Sequence, residues 1–309
     1  MPTPIPFVRT IDIEYGRVDQ VSPLIRRVTA NNPSPFTYKG TGTYIVGRGE
    51  VAVMDPGPLD EAHLAALERT LAGERIAHIL ITHTHNDHSP LARSLQAKLG
   101  GSTYGYGPHG SGKLEEGIVV EEGGDMAFTP DLRVIDSGLI EGEGYTFECV
   151  FTPGHTSNHM CYALREERAL FTGDHVMGWS TTVIVPPDGD MSDYMASLRK
   201  LLARDDKVLW PTHGPPIIDP KPFLNALIAH REEREAQIIG CLKNGITRIP
   251  DMVARIYADT DKRLWPAASL SVLAHLQKLI TEGRASAYPT AHLSGTFSQL
   301  PSPLERGLG

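Results

Sequence analysis

Three histidines and an aspartate fall within six residues of T-H-T-H-N-D-H, the stretch from Thr82 to His88. Imidazole nitrogen and carboxylate oxygen are the ligands of catalytic zinc, which keeps one coordination position for water. Crowding them into one loop therefore points to a metal centre that does chemistry. His83 and His85, two apart in a loop leaving a strand, can face the same way, and Asp87 and His88 then serve a neighbouring position. One short loop cannot close two coordination shells. Further ligands must come from other strand ends, and the chain offers His155 in T-P-G-H, Asp174 in F-T-G-D and His213 in P-T-H-G, each directly after an apolar run. A lone histidine or aspartate at a strand end is ordinarily a surface or hydrogen-bonding residue. The ordered set carries the assignment. Two divalent ions about 3.5–4 Å apart share a water, lower its pKa toward neutrality and polarise a carbonyl or phosphoryl oxygen, so hydrolysis is the expected reaction. Asp87 and Asp174 are the candidate catalytic carboxylates, with Asp87 the acceptor of the water's proton. No G-x-S-x-G elbow or Walker loop competes for the role.

The elements that must position these residues follow from periodicity. Y-I-V-G-R-G-E-V-A-V-M-D, Tyr44 to Asp55, reads as a hairpin that ends on Asp55. Leu64, Leu67 and Leu71 mark a helix face with Gly73 at its C-cap, and Ile76 to Ile81 is a buried strand that delivers the histidine loop. Leu91, Leu95 and Leu99 mark the next helix, with Ser89 as N-cap and Pro90 in its first turn. From Gly117 to Gly189 short β runs dominate, T-T-V-I-V among them, before a helix on Met195, Leu198 and Leu202. Hairpins followed by alternating strands and helices imply an α/β (α+β) fold, an αββα sandwich of two mixed sheets. Ligand loops at strand ends suit the edge of such a sandwich. The expected organisation is a catalytic domain over 1–219, a small helical domain over 220–288, and a Pro/Ser/Gly-rich tail over 289–309 that drapes or is disordered.

A hydrophobic content of 40% with 21% charged residues suits a folded globular chain, and the net charge of -8 argues against a broad phosphate-binding surface. Three cysteines without C-x-x-C spacing indicate neither a disulfide framework nor a cysteine zinc site. The start, M-P-T-P-I-P-F-V-R-T, lacks a secretory pattern and no window approaches a membrane span, so a cytoplasmic location is the default expectation. Nothing in the residues fixes the oligomeric state.

The ordered motifs resemble those of the metallo-β-lactamase-fold hydrolases: an aspartate after the first hairpin, the H-x-H-x-D-H loop, then a histidine, an aspartate and a final histidine. They match Asp55, His83 to His88, His155, Asp174 and His213. The resemblance implies one zinc on His83, His85 and His155, a second on Asp87, His88 and His213, and Asp174 bridging them. It places Asp55 behind the ligands, steadying the loop or a histidine tautomer. Manganese or iron suits the same donors. Ser89-Pro90 departs from the paired glycines common in the family at that point, which leaves the loop intact and the approach of substrate over the helix end less open.

The segments G-D-H-V-M-G-W-S-T-T-V, D-Y-M-A-S-L-R-K-L, P-T-H-G-P-P-I and H-R-E-E-R-E resemble the lactamase-beta-like branch, over about Tyr44 to Tyr288. That branch carries a C-terminal winged-helix-like domain and includes an endoribonuclease acting on single-stranded RNA; fungal polyketide-releasing thioesterases resemble it too. The leading expectation is thus RNA phosphodiester cleavage, the rival is hydrolysis of a thioester or small ester, and the third is a non-catalytic metal-stabilised binding module. Thr181 and Thr182 are candidate substrate contacts. His275, Lys278 and Arg284 of the small domain could meet phosphates but read first as ordinary solvated residues, no strong basic stripe emerges, and Trp179, Tyr194 and Trp265 are the aromatics that could contribute stacking for bases.

Overall fold

Strands form here where apolar side chains alternate between two buried faces. The computed structural model describes residues 4–110 and 123–300; the beginning of the β-rich stretch at Gly117 and the last part of the expected tail, 301–309, lie outside the described residues. The first sheet runs in chain order: β1 (Val18–Gln20), β2 (Ile25–Thr29), β3 (Gly42–Arg48), β4 (Glu50–Met54), β5 (Arg75–Leu80), β6 (Ser102–Gly105) and β7 (Leu132–Arg133). It is antiparallel as far as β4 and parallel beyond, because α1 (Glu61–Thr70) and α2 (Leu91–Leu99) serve as crossovers. The second sheet is β8 (Leu139–Gly142), β9 (Tyr145–Phe151), β10 (Met160–Leu164), β11 (Ala169–Gly173) and β12 (Val208–Pro211), with only the β11–β12 pair parallel.

Ala52 and Met54 of β4 face the second sheet, where they meet Tyr145, Phe147, Tyr162 and Phe171, while Val51 and Val53 face Leu64, Leu67 and Leu95 of the helices. The same alternation in the second sheet sends Tyr162 and Leu164 inward and Cys161 and Ala163 toward α3 (Met191–Leu202). Period-two burial on both faces gives the αββα layering. The three cysteines are free and buried.

Three local expectations change. The helix on Leu64 and Leu67 ends at Leu71 rather than Gly73, and Asp60 caps its start by accepting from the Ala62 and His63 amides at 2.8 and 3.4 Å. Ser89 does not cap α2: its hydroxyl donates to Asp125 at 2.8 Å, and Pro90, already helical, stands at the cap. The T-T-V-I-V run, 181–185, is not a strand, since its polar groups are drawn into side-chain bonds described below.

The C-terminal region is built from α4 (Pro220–Lys243), α5 (Ile249–Ile256), α6 (Trp265–Thr281) and a hairpin of β13 (Ala285–Tyr288) with β14 (Thr296–Gln299). Residues 296–299, expected in a tail, therefore form a strand. Phe297, fully buried in the core of this region, holds it there. Helix α4 belongs to two cores: Phe223, Leu224 and Leu227 pack on the outer face of the second sheet, Ile238, Cys241 and Leu242 on α5 and α6. Among the described residues no helix is long and apolar enough to cross a membrane.

Candidate metal centre

Each candidate ligand leaves a strand at one edge of the sandwich. Asp55 follows β4 in a left-handed conformation (φ 46°), its amide donating to the Leu80 carbonyl at 2.9 Å and so joining the ends of β4 and β5. The loop from Thr82 follows β5, His155 follows β9, Asp174 follows β11 and His213 follows β12. The two sheets are tied there by the Gly42 amide donating to the Thr212 carbonyl at 2.9 Å. Gly173 needs its lack of a side chain: its φ is 50°, and a Cβ would stand 2.6 Å from His159 Nε2 and 2.7 Å from Thr82 Oγ1.

The seven side chains of the ordered motif converge, in three groups whose donor atoms lie within 4.8 Å of one another: His83, His85 and His155; Asp87, His88 and His213; and His83, His88 and Asp174. His85 Nδ1 is 3.0 Å from His83 Nε2 and 3.2 Å from His155 Nε2. His213 Nε2 is 3.0 Å from Asp87 Oδ2, and His88 Nε2 is 3.3 Å from the same oxygen. Asp174 stands between the groups, with Oδ2 3.6 Å from His88 Nε2 and 3.9 Å from His155 Nε2, and Oδ1 3.4 Å from His213 Nε2.

These spacings fit ions. Donors around one tetrahedral zinc, each about 2.0–2.1 Å from it, stand roughly 3.3 Å apart. His88 Nε2, His213 Nε2 and Asp174 Oδ1 are buried and make no aligned hydrogen bond despite charged neighbours at ion-pair distance. That is the arrangement of donors that converge on a shared cation rather than on one another. Three buried carboxylates, Asp55, Asp87 and Asp174, supply negative charge that a pair of dications would balance.

The outer ring nitrogens are fixed. Nδ1 of His88 donates to Asp55 Oδ2 at 3.0 Å, Nδ1 of His155 to the Val183 carbonyl at 2.8 Å and Nδ1 of His213 to the Gly40 carbonyl at 3.1 Å, which leaves Nε2 of each turned inward. Asp55 is the hub: its Oδ1 accepts from the Thr82 amide at 2.8 Å, and its Oδ2 from the hydroxyls of Thr82 and Thr212 at 2.7 and 2.9 Å as well as from His88. Thr82 Oγ1 can then accept from His83 Nδ1, 3.1 Å away. The motif reading passes over Thr82 and Thr212, yet the Thr-His doublets at 82–83 and 212–213 are the signal that locates them.

Electrostatically the pocket divides in two. Burial, reinforced by neighbouring histidines, holds His83 and His85 well below the ordinary imidazole range, and burial also lowers His155. Burial opposes charge on His213 and His88, but Asp174 and Asp87 outweigh it, pushing His213 up to about 10 and His88 well above its usual value. Burial works against ionisation of Asp87 and Asp174 too, and the adjacent His88 and His213 overcome it and hold both carboxyls low.

The two threonines part company. Thr181 lines a cleft beside His155 and Asp174, whereas Thr182 is 3% exposed with its hydroxyl donating to the carbonyls of Asp174 and His175 at 2.7 and 3.0 Å. It braces the loop instead of facing substrate. The cleft, about 30 Å³, is walled by Pro35, Phe36, Met177, Trp179, Ser180 and Val183, and Trp179 stacks on Tyr38 with ring centroids 4.8 Å apart. The sequence marks Trp179 only as a stacking candidate; Phe36 and Met177 give no periodic signal.

Comparison with known proteins agrees with this geometry. The sequence profile of the metallo-beta-lactamase superfamily matches residues 39–213. The chain belongs to the metallo-beta-lactamase superfamily. As a member it is a metal-dependent hydrolase, and the profile of the beta-lactamase associated winged helix domain matches residues 249–289 in its C-terminal region. Among superfamily relatives, the beta-lactamase-like protein 2 homolog of Caenorhabditis elegans is 32% identical, covering 86% of this chain and 87% of its own. The atrochrysone carboxyl ACP thioesterase of Claviceps purpurea is also 32% identical, covering 80% of this chain and 76% of its own. A metallo-beta-lactamase family protein of Thermus thermophilus shares the fold with a TM-score of 0.74 at 22% identity, covering 91% of this chain and all (100%) of the other.

Proposed function

We propose that the chain is a two-metal hydrolase of thioesters or small esters with an apolar acyl group. His83, His85 and His155 would hold one ion, Asp87, His88 and His213 the other, with Asp174 between them. A bound pair of divalent ions supplies a water of lowered pKa and a Lewis acid for the substrate's carbonyl. Zinc suits the donors, as do manganese and iron. Asp87 and Asp174 are the carboxylates within reach to take the water's proton, and Asp174 Oδ1 carries no hydrogen-bond partner of its own. Phe36, Met177, Trp179 and Val183 are the apolar side chains that the acyl group would lie against, while the hydroxyls of Ser180 and Thr181 are the polar groups at the rim.

The observation that carries this reading is the cleft wall, largely apolar and, among the described residues, without a lysine or arginine, directly beside Asp174 and His155. A polyanion calls for the opposite lining. The expectation of RNA loses its supports in the C-terminal region. Lys278 is bonded to Glu235 and Glu282, both at 2.6 Å, Arg284 pairs with the same two carboxylates, and His275 is 1% exposed. Tyr194 is fully buried and cannot stack on a base. The thioesterase relative favours the same side. Metal-reconstituted protein should turn over acyl thioesters, faster for medium acyl chains than for acetyl, with turnover abolished by Asp174→Ala. Cleavage of an unstructured RNA oligonucleotide with no thioester turnover would reverse the reading.

A further inference from the structure

Burying a guanidinium without a carboxylate partner is costly unless its donors have fixed work. Arg231, midway along α4, is 4% exposed and among the described residues forms no ion pair. Its Cζ lies 5.2 Å from the centroid of the Tyr194 ring, its Nη2 donates to the Thr182 carbonyl, and its Nε has no partner. The acceptor it reaches lies in the irregular loop that follows Asp174. Thr182 Oγ1 bonds the Asp174 and His175 carbonyls at 2.7 and 3.0 Å, and the next carbonyl, Val183, receives His155 Nδ1 at 2.8 Å. Two adjacent residues, Thr182 and Val183, therefore connect the C-terminal helix to the backbone of Asp174 and to the ring of His155.

A second path joins the same points. Rings stand in file from the centre to α4: His83 to His159 at 5.2 Å, His159 to His175 at 5.6 Å, His175 to Tyr194 at 4.7 Å, and then the guanidinium. Few of these polar atoms are spent elsewhere: His159 Nε2, both nitrogens of His175 and the Tyr194 hydroxyl are buried without partners. Arg231 is thus the end of a packed polar seam whose other end is a candidate ligand.

We propose that Arg231 is a positioning residue: through the Thr182 carbonyl it sets the 181–183 segment, and with it the ring of His155, the backbone of Asp174 and the cleft wall at Thr181 and Val183. The C-terminal region on this view completes the catalytic site rather than accompanying it. The inference rests on the ligand assignment made above. Its test is metal affinity, which needs no substrate: cobalt(II) competition against a chelator, with the cobalt absorption band as a second readout, for the wild-type chain, Arg231→Met, Thr182→Val and the double variant. Groups that orient ligands change affinity by about 10–100-fold, so each single variant should weaken binding by about ten-fold and alter the band, and the double should be no weaker than the weaker single. Wild-type affinity and band in Arg231→Met, or losses that multiply in the double, would overturn the link. Should Arg231→Met not fold, Arg231→Gln, which is polar but too short to reach the Thr182 carbonyl as the guanidinium does, takes its place with the same expectations. A wild-type chain that takes up no cobalt overturns the ligand assignment and this link with it; uptake that is indifferent to Arg231 overturns the link alone.

Discussion

Asp55→Asn changes one atom of the side chain that receives the histidine loop, and its effect can be worked out from the donors around it. Four donors face the carboxylate: the Thr82 amide on Oδ1, and the Thr82 hydroxyl, the Thr212 hydroxyl and His88 Nδ1 on Oδ2. An amide side chain offers one acceptor end and one donor end. If the oxygen stays with the backbone N–H of Thr82, the new NH₂ occupies the place of Oδ2. The two hydroxyls can rotate and accept from it, but the Nδ1–H of His88 cannot. His88 must then surrender its Nδ1 proton and carry it on Nε2, the atom turned toward Asp87 and Asp174. The reverse orientation sets NH₂ against the Thr82 amide, an unsatisfied buried donor at about 1–3 kcal/mol. Either way the ion on Asp87, His88 and His213 loses about 10–100-fold in affinity, while the ion on His83, His85 and His155 is affected less. Chelator competition at neutral pH, resolved into two binding steps, measures both. Equal affinity of Asp55→Asn and wild type at both steps would refute the reasoning.

Further outcomes follow from the same geometry. His63, 3% exposed, is pushed down to about 4 by burial, so it stays neutral in the fold while the unfolded chain protonates below about 6.5; the stability this gives is complete above that value and is lost as pH falls toward 4. Denaturant unfolding should lose about 2 kcal/mol from this residue between pH 7 and pH 5, and His63→Gln should flatten that slope. Gly173→Ala should cost about 2–4 kcal/mol, the sum of a left-handed backbone and the clash with His159 and Thr82; a urea midpoint equal to wild type would contradict it. Trp179→Ala removes the cleft wall and its stack on Tyr38, so KM for a medium-chain thioester should rise about ten-fold with metal content unchanged.

What could be read in advance was what is local or ordered along the chain. H-x-H-x-D-H lies in one loop, and the remaining ligands each follow an apolar strand, so their convergence is encoded by strand ends meeting at one edge. What could not be read depends on partners distant in sequence. Ser89 has the chemistry of a cap, but Asp125 takes its hydroxyl. Thr181, Thr182 and Val183 have the composition of a strand, yet the Thr182 hydroxyl, the Thr182 carbonyl and the Val183 carbonyl are bound by Asp174, Arg231 and His155 instead of a neighbouring strand. A single Phe297 carries the burial of β14, too little for a period to show among prolines and serines. Lys278 and Arg284 count as basic in a composition, and only packing pairs them with Glu235.

Stoichiometric titration of the ion-free chain with cobalt(II) tests the central claim most directly. Seven converging side chains predict saturation at two ions per chain, falling to one in His213→Ala. Saturation of the wild-type chain at one ion or none would contradict it.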